Sequence, residues 1–405
     1  MQGLLDLVPQ PDHHTDTAAE VPWRAGHPPR APERASGEVA TDKTPRLKIL
    51  LVTDWFLKLV VEGQAVALSE LGHEVRLLCG SHLDEFAGDA DERTWILNRI
   101  RAAGVRVLEL PGRRFGPEGI PAMLAAQREI RRWSPDVVSA HQNDDPRLLF
   151  ASRGAPLVYT IHDPEPHPGA QSPRRRERVA AAAWLRVADC VVVHSESLVT
   201  ELPERVRRKS IRVIPHGIEV QSDCLPRPAE DVVLLFGRME PYKGAAVLAD
   251  AMQEVWAARP GAKLVVAGRG PAVADIPSDD RIELIARYIS ESELRRLLTR
   301  ATVVALPYTQ ASQSGVGLLS ISYGVPIVVT RVGALPDLVP DVRYVAEPND
   351  PRSLASTLLA SLAAAPDERA RFLEHARASF SWQRVAEAYS EVYRDLSSGL
   401  AIESS

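Results

Sequence analysis

Two passes of strand–helix alternation, separated by a proline- and charge-rich stretch, restrict what this chain can fold into. The first pass opens on Leu47-Lys-Ile-Leu-Leu-Val-Thr53, an aliphatic and β-branched run suited to a strand buried on both faces. A helix is expected over Gly63–Leu71, with Val66, Leu68 and Leu71 as its apolar positions, and Gly72 stops it before the strand Gly72–Cys79. Strands over Val105–Leu110, Asp136–Ala140, Pro156–Ile161, Cys190–Val193 and Ile211–Ile214 then alternate with helices over Ile120–Trp133, Glu177–Ala188 and Ser195–Leu202. The second pass places strands at Val232–Phe236, Ala262–Ala267, Ile282–Leu284, Val303–Leu306 and Pro326–Thr330, with helices between them. Such alternation folds into doubly wound parallel sheets, so the expected class is α/β.

With 405 residues the chain is too long for one ordinary core and is expected to form two domains. Residues 1–45, rich in Pro, Ala, Asp and Glu without a sustained period, read as a disordered tail. The first domain is expected over residues 46–217 and the second over 218–378, with Gln221–Asp231 as the hinge. A closing helix over 379–398 carries Trp382, Val385, Tyr389 and Val392 at helical spacing, so one of its faces packs on protein. Two such halves hold a ligand in the cleft between them, against the carboxyl ends of their strands.

Composition excludes several functions. A net charge of −5 argues against bulk nucleic-acid binding, which needs a basic stripe. The chain has no apolar run of about 18 residues, as a spanning helix would require, and its N-terminus lacks the pattern of a secretory signal. The cysteines Cys79, Cys190 and Cys224 have no metal-type spacing and fit reduced thiols, so a cytoplasmic protein without a metal is expected. Two basic clusters, Arg174–Arg178 and Arg205–Lys209, read as solvated helix faces, with peripheral contact to anionic lipid as the sharper alternative.

The segment carrying the most chemistry is Phe236-Gly-Arg-Met-Glu-Pro-Tyr-Lys-Gly244, between the first strand and first helix of the second pass. Arg238 and Lys243 lie five residues apart beside a helix N-terminus, where free N–H groups already favour anions. Two cations there suit a diphosphate better than a lone carboxylate. Gly268 and Gly270 end another strand, where absent side chains let backbone approach a nucleotide closely.

Four segments in order resemble glycosyltransferase family 4. Ile211-Arg-Val-Ile-Pro-His-Gly-Ile218 resembles its interdomain "IPNG" segment, and Gly237-Arg238 through Lys243-Gly244 its "GR…KG" phosphate clamp. Leu264–Pro271 resembles its "GxGP" strand end, and Gly324–Val339 its "GxPVVAT…GGLPE" segment. The resemblance covers nearly everything from Leu47 to Leu396. It implies two facing Rossmann-like domains in the GT-B arrangement, an acceptor domain followed by a donor domain. It also implies a retaining, metal-independent hexosyltransferase that takes a nucleoside-diphosphate sugar and an acceptor hydroxyl on a glycan, a lipid or a secondary metabolite. No cofactor is implied, since the nucleotide sugar is the substrate.

The resemblance also assigns residues. Arg238 and Lys243, with Gly237, fall at the leaving-group clamp. His141 falls at the second histidine of the "HxH" strand end, beside the reacting sugar, and Ser139 at the first. His162 and Asp163 match "T(V/F)HD" on the acceptor side, and Gly63 is what remains of the first glycine-rich loop. The chain departs from the family where most members carry two glutamates, for Ala311 and Leu319 occupy those slots. A "SQSG" variant stands there instead, whose backbone amides at Ser314, Gly315 and Val316 open a helix and are expected to bind phosphate.

Two rival readings have distinct signatures. A nucleotide-sugar epimerase needs acid/base carboxylates in the cleft, and no clear set is present. A non-catalytic nucleotide-sugar binding protein is compatible with the absent glutamates and would bind without turnover. No G-x-G-x-x-G follows either first strand, which sets a nicotinamide dehydrogenase aside.

Overall fold

The computed structural model describes residues 45–55, 57–81, 90–112, 117–162, 175–223, 226, 228–311, 313–364 and 367–399. Two parallel sheets organise it. The first contains β1 (Lys48–Thr53), β2 (Glu74–Gly80), β3 (Arg106–Leu110), β4 (Val137–His141), β5 (Leu157–Thr160), β6 (Cys190–Val193) and β7 (Ser210–Val213). Its spatial order is β3-β2-β1-β4-β5-β6-β7. The second contains β8 (Val232–Phe236), β9 (Lys263–Ala267), β10 (Ile282–Ile285), β11 (Val303–Leu306), β12 (Ile327–Thr330) and β13 (Val345–Ala346), in the order β10-β9-β8-β11-β12-β13. In both sheets the order reverses beside the first strand, at β1/β4 and at β8/β11. Those are the points where an open sheet leaves a crevice beyond its carboxyl ends.

Side-chain alternation sets the two faces of the first sheet. Ile49 and Leu51 of β1 join the core on one face, while Leu50 and Val52 join the core on the other. The helices Ile120–Trp133 and Arg175–Val187 cover the second of these faces with Ile130, Trp133 and Trp184. The first face is covered by the helix Glu62–Glu70 and by the closing helix Trp382–Ser397, through Val385, Tyr389, Val392 and Tyr393. The closing helix therefore belongs by sequence to the second half and by packing to the first. Ile218 N–H donates to the Phe380 carbonyl at 2.8 Å, so the two crossings between the halves run side by side.

Every strand expected from sequence is present, with ends shifted by a residue or two. The helices Ala90–Ala102, Pro146–Ser152, Glu204–Arg207, Pro351–Leu362 and Glu368–Phe380 and the two-residue β13 are additional. Among the described residues no helix is long and apolar enough to cross a membrane. Cys79 and Cys190 are buried free thiols, and burial pushes the Cys79 thiol up to about 12.

Candidate functional site

β8 ends at Phe236, and the chain turns sharply through Gly237, whose φ of +108° few residues but glycine adopt. Gly237 N–H donates to the Ala267 carbonyl and Met239 N–H to the Arg269 carbonyl, so the loop is stitched to the end of β9. There Gly268 adopts φ +146°, and a Cβ on it would come within 1.8 Å of the Gly237 carbonyl oxygen. Gly268 is required by the Gly237 backbone, and Gly237 by its own positive φ. The turn Pro241–Lys243 then leads through left-handed Gly244 into the helix Ala245–Ala258.

This path places the Lys243 side chain beneath Gly237. Its ammonium is 1% exposed, donates to the Tyr308 hydroxyl at 3.1 Å, and sits 5.0 Å from the centre of that ring. Among the described residues no carboxylate lies within ion-pair distance of it. A buried ammonium supported by one hydroxyl and an aromatic face costs free energy that an arriving anion would offset. A Cβ on Gly237 would stand 3.1 Å from Lys243 Nζ and 3.2 Å from Val316 Cγ2, which brings the clamp loop against the helix Gly315–Ser322. Ser314 caps that helix, its Oγ accepting from Gly317 N–H at 3.1 Å. Arg238, Lys243, Gly237, Gly268, Gly270, Ser314, Gly315 and Val316 lie in the segments that follow the carboxyl ends of β8, β9 and β11. Arg238 is half-buried on the same loop.

The first domain presents a row of histidines. His141 ends β4, and His162, His194 and His216 follow the carboxyl ends of β5, β6 and β7. Adjacent strands lie about 4.8 Å apart, and the ring centroids along the row are 5.2, 4.7 and 5.2 Å apart. Strand alternation points His141, His162 and His194 to the face covered by the closing helix. His141 shares it with Val137, His162 with Val158, and His194 with Cys190. Three of the rings are hydrogen-bonded in line. His141 Nδ1 meets His162 Nε2 at 3.0 Å, His162 Nδ1 meets His194 Nε2 at 2.9 Å, and His194 Nδ1 meets the Ile214 carbonyl at 2.9 Å. At the other end His141 Nε2 lies 2.6 Å from the Gln64 amide.

Burial disfavours the charged form of His141, His162 and His216. Desolvation, with the neighbouring His194, takes His141 down to about 3 and His216 likewise to about 3, and lowers His162. His216 Nδ1 meets the Gly217 carbonyl at 2.9 Å, while among the described residues its Nε2 has no hydrogen-bond partner. The rings bond to one another instead of converging on a common point. Among the described residues no group of three or more His, Cys, Asp or Glu could hold a metal ion.

The domains face one another across a cleft of about 1000 Å³, lined by Glu62, Gly63 and Arg99 from the first and by Glu291, Leu319 and Tyr323 from the second. Leu319, at one glutamate slot of the resemblance, faces this cleft, and Ala311 is half-buried against the second core. Gly63 lies against the Trp382 indole, which a Cβ would meet at 2.1 Å, and Gly217 meets the same ring at the same distance. Asp163 lies outside the described residues. In the expected cluster Arg205–Lys209, Lys209 Nζ donates to the Ala188 carbonyl at 2.7 Å and Arg208 pairs with Glu204, so part of that charge is used within the fold. Sequence reasoning did not single out Tyr308, His194 or His216. The signal for the histidines was present, since each stands just beyond one of three consecutive strands.

Comparison with known proteins agrees with this geometry. The profile described as "Glycosyltransferase Family 4" matches residues 59–222, and that of "Glycosyl transferases group 1" matches residues 230–364. The chain is 30% identical over 393 residues to a glycogen synthase of Mycobacterium tuberculosis, covering 86% of this chain and 94% of that protein. Among solved structures it resembles a sucrose-phosphate synthase from Thermosynechococcus elongatus, with a TM-score of 0.60 at 19% identity over 87% of this chain and 100% of the other. An Anabaena protein solved with UDP and glucose aligns with a TM-score of 0.57 at 17% identity over 87% of this chain and 100% of that one. With two Rossmann-like domains in the GT-B arrangement, and sequence kinship that spans both, the chain belongs to glycosyltransferase family 4 and is a glycosyltransferase.

Proposed function

We propose that the enzyme transfers a sugar from a nucleoside-diphosphate sugar to a hydroxyl on a glycan, lipid or secondary metabolite, with retention at the anomeric carbon and without a metal. The observation that carries this reading is the buried Lys243 ammonium. It lies where two strand ends and a capped helix N-terminus meet, and has no carboxylate within ion-pair distance among the described residues. A leaving diphosphate gains negative charge as the glycosidic bond breaks, so fixed cations at Arg238 and Lys243 stabilise the transition state more than the bound donor. A similar structure, the Anabaena protein, was solved with UDP, and the glycogen synthase relative bears the name of a sugar-polymerising enzyme.

In this reading the acceptor oxygen attacks from the face the diphosphate leaves. The new carbon–oxygen bond forms as the old one breaks, and the acceptor's proton passes to a diphosphate oxygen. His141 and His162 form the first-domain wall of the reacting centre. Both His141 nitrogens are engaged, so a direct hydrogen bond from Nε2 to the sugar requires Gln64 to give way.

The test is a thermal-stability panel of nucleoside diphosphates in chelator, followed by product analysis with the best donor. One diphosphate should raise the midpoint, since a ligand bound only by the folded state stabilises it. Arg238→Ala and Lys243→Ala should abolish both the shift and transfer. Transfer retained by both variants, or an inverted product, would overturn the reading.

A further inference from the structure

The hydrogen-bonded line through His141, His162 and His194 has a proton count that its ends must satisfy. The Ile214 carbonyl can only accept, so His194 Nδ1 carries a proton. A neutral His194 then offers Nε2 as a bare acceptor, and His162 must donate to it from Nδ1. The same step repeats, so His162 Nε2 is bare and His141 donates from Nδ1. His141 Nε2 is left as an acceptor, 2.6 Å from a Gln64 amide oxygen that is also an acceptor. Four contacts need four protons, and three neutral rings supply three.

Two arrangements resolve this. A fourth proton could make the line a cation. That places a charge among rings that are 0%, 2% and 6% exposed, where burial disfavours it. Alternatively the Gln64 amide turns over. Its oxygen and nitrogen occupy the same space, so the exchange costs no packing. The NH2 then donates to His141 Nε2, and the oxygen accepts from the Tyr393 hydroxyl, 3.2 Å from the other end of the amide. Ser139 Oγ, 2.7 Å from that hydroxyl, becomes the donor to it. Every group is satisfied without a charge.

We propose that Gln64 is a positioning residue. Its amide NH2 donates to His141 Nε2 and thereby fixes His141, His162 and His194 together as Nδ1–H tautomers. The catalytic meaning rests on the proposed function, in which His141 and His162 wall the reacting centre; the tautomers themselves do not. The two ends of the line are also the two crossings between domains. Ile214 immediately precedes Pro215-His216-Gly217, and Tyr393 belongs to the closing helix. Among the described residues the neighbouring titratable groups include His216, with its ring 5.2 Å from His194, and the Tyr389 and Tyr393 phenols, both raised by burial.

Long-range proton–nitrogen correlation spectra of the full chain labelled with 15N-histidine read the tautomers directly, whether or not transfer has been detected. The expected result at neutral pH is a protonated Nδ1 and a bare Nε2 for all three residues, assigned by single His→Gln variants. An Nε2–H tautomer or an imidazolium at any of the three would overturn the proposal. In Gln64→Glu the fourth contact needs a proton on the carboxyl or on a ring, so a protonated Glu side chain, read from its 13C shift, or an imidazolium signature should appear near neutral pH. An ionised carboxylate at 64 beside three neutral rings would count equally against the proposal. Neither result depends on whether the protein proves to be a transferase of the proposed kind.

Discussion

At the level of single residues, Lys243 shows both what sequence reveals and what it conceals. Its pairing with Arg238 was legible because clamp loops are contiguous in sequence. Tyr308, the hydroxyl and ring that shelter it, lies 65 residues away and no spacing rule connects the two. The arrangement makes a two-sided prediction. Replacing a buried ion pair by apolar groups of similar volume tends to be neutral or stabilising by about 1–4 kcal/mol, and a buried charge without an ionic partner carries the desolvation cost without the Coulombic return. Lys243→Met should therefore leave the unfolding free energy in the absence of ligand unchanged or raise it by about 1–2 kcal/mol, while abolishing the midpoint rise caused by a nucleoside diphosphate. Urea denaturation with and without the diphosphate measures both quantities. A variant that loses stability and keeps the ligand shift would show Lys243 to be a structural cation. Tyr308→Phe removes the hydroxyl that accepts from Nζ and keeps the ring, so it should lower stability by about 1 kcal/mol and retain part of the ligand shift.

Among the elements, the closing helix and the helix Glu62–Glu70 meet at the Trp382 ring as well as through the Gln64–Tyr393 hydrogen bond. The apolar spacing of Trp382, Val385, Tyr389 and Val392 announced a buried stripe, and the described helix buries all but the half-exposed Trp382. Its partner could not be read from that spacing, because the stripe crosses to the other domain's sheet. The helix Ala90–Ala102 escaped for a different reason: only Ile96, Leu97 and Ile100 are buried apolar positions among many charges. β13 is two residues long and too short to show a period. Trp382 makes Gly63 a packing residue as well as a candidate donor contact. In a helix interior, Ala is favoured over Gly by about 1 kcal/mol, yet a Cβ at 63 would lie 2.1 Å from a rigid indole. Overpacking of that kind costs about 1–3 kcal/mol, so the clash wins and Gly63→Ala should destabilise. Gly217→Ala should do the same from the other crossing. In a Trp382→Ala background both penalties should vanish, and at Gly63 the sign should reverse. The double-mutant cycle measures this coupling, and additive costs would place the strain elsewhere.

For the whole molecule, the two-sheet plan was legible because parallel strands buried on both faces are continuous apolar runs, and the twelve expected short strands leave few other ways to cover them. The histidine row was not legible as a unit. It emerges only when strand order makes β4, β5, β6 and β7 neighbours, so that the histidines at or just beyond their carboxyl ends lie side by side. The row imposes a pH dependence on the entire fold. In the unfolded chain these imidazoles take up protons below about 6.5. In the folded chain burial keeps His141 and His216 neutral down to about 3. Acid therefore favours the unfolded state. The stability is fully present above about pH 6.5 and declines as pH falls from there toward 3, by up to about 1.4 kcal/mol per pH unit for each such histidine. Carboxylates in the unfolded chain take up protons mainly below about pH 5, so the interval from 6.5 to 5 isolates the imidazoles. Urea midpoints measured across that interval should fall steadily. Replacing His216 by Asn, which removes one titrating ring without touching the hydrogen-bonded line, should flatten the slope by about one proton's worth. A midpoint constant from pH 6.5 to 5 would mean that the folded row takes up protons as readily as the unfolded chain.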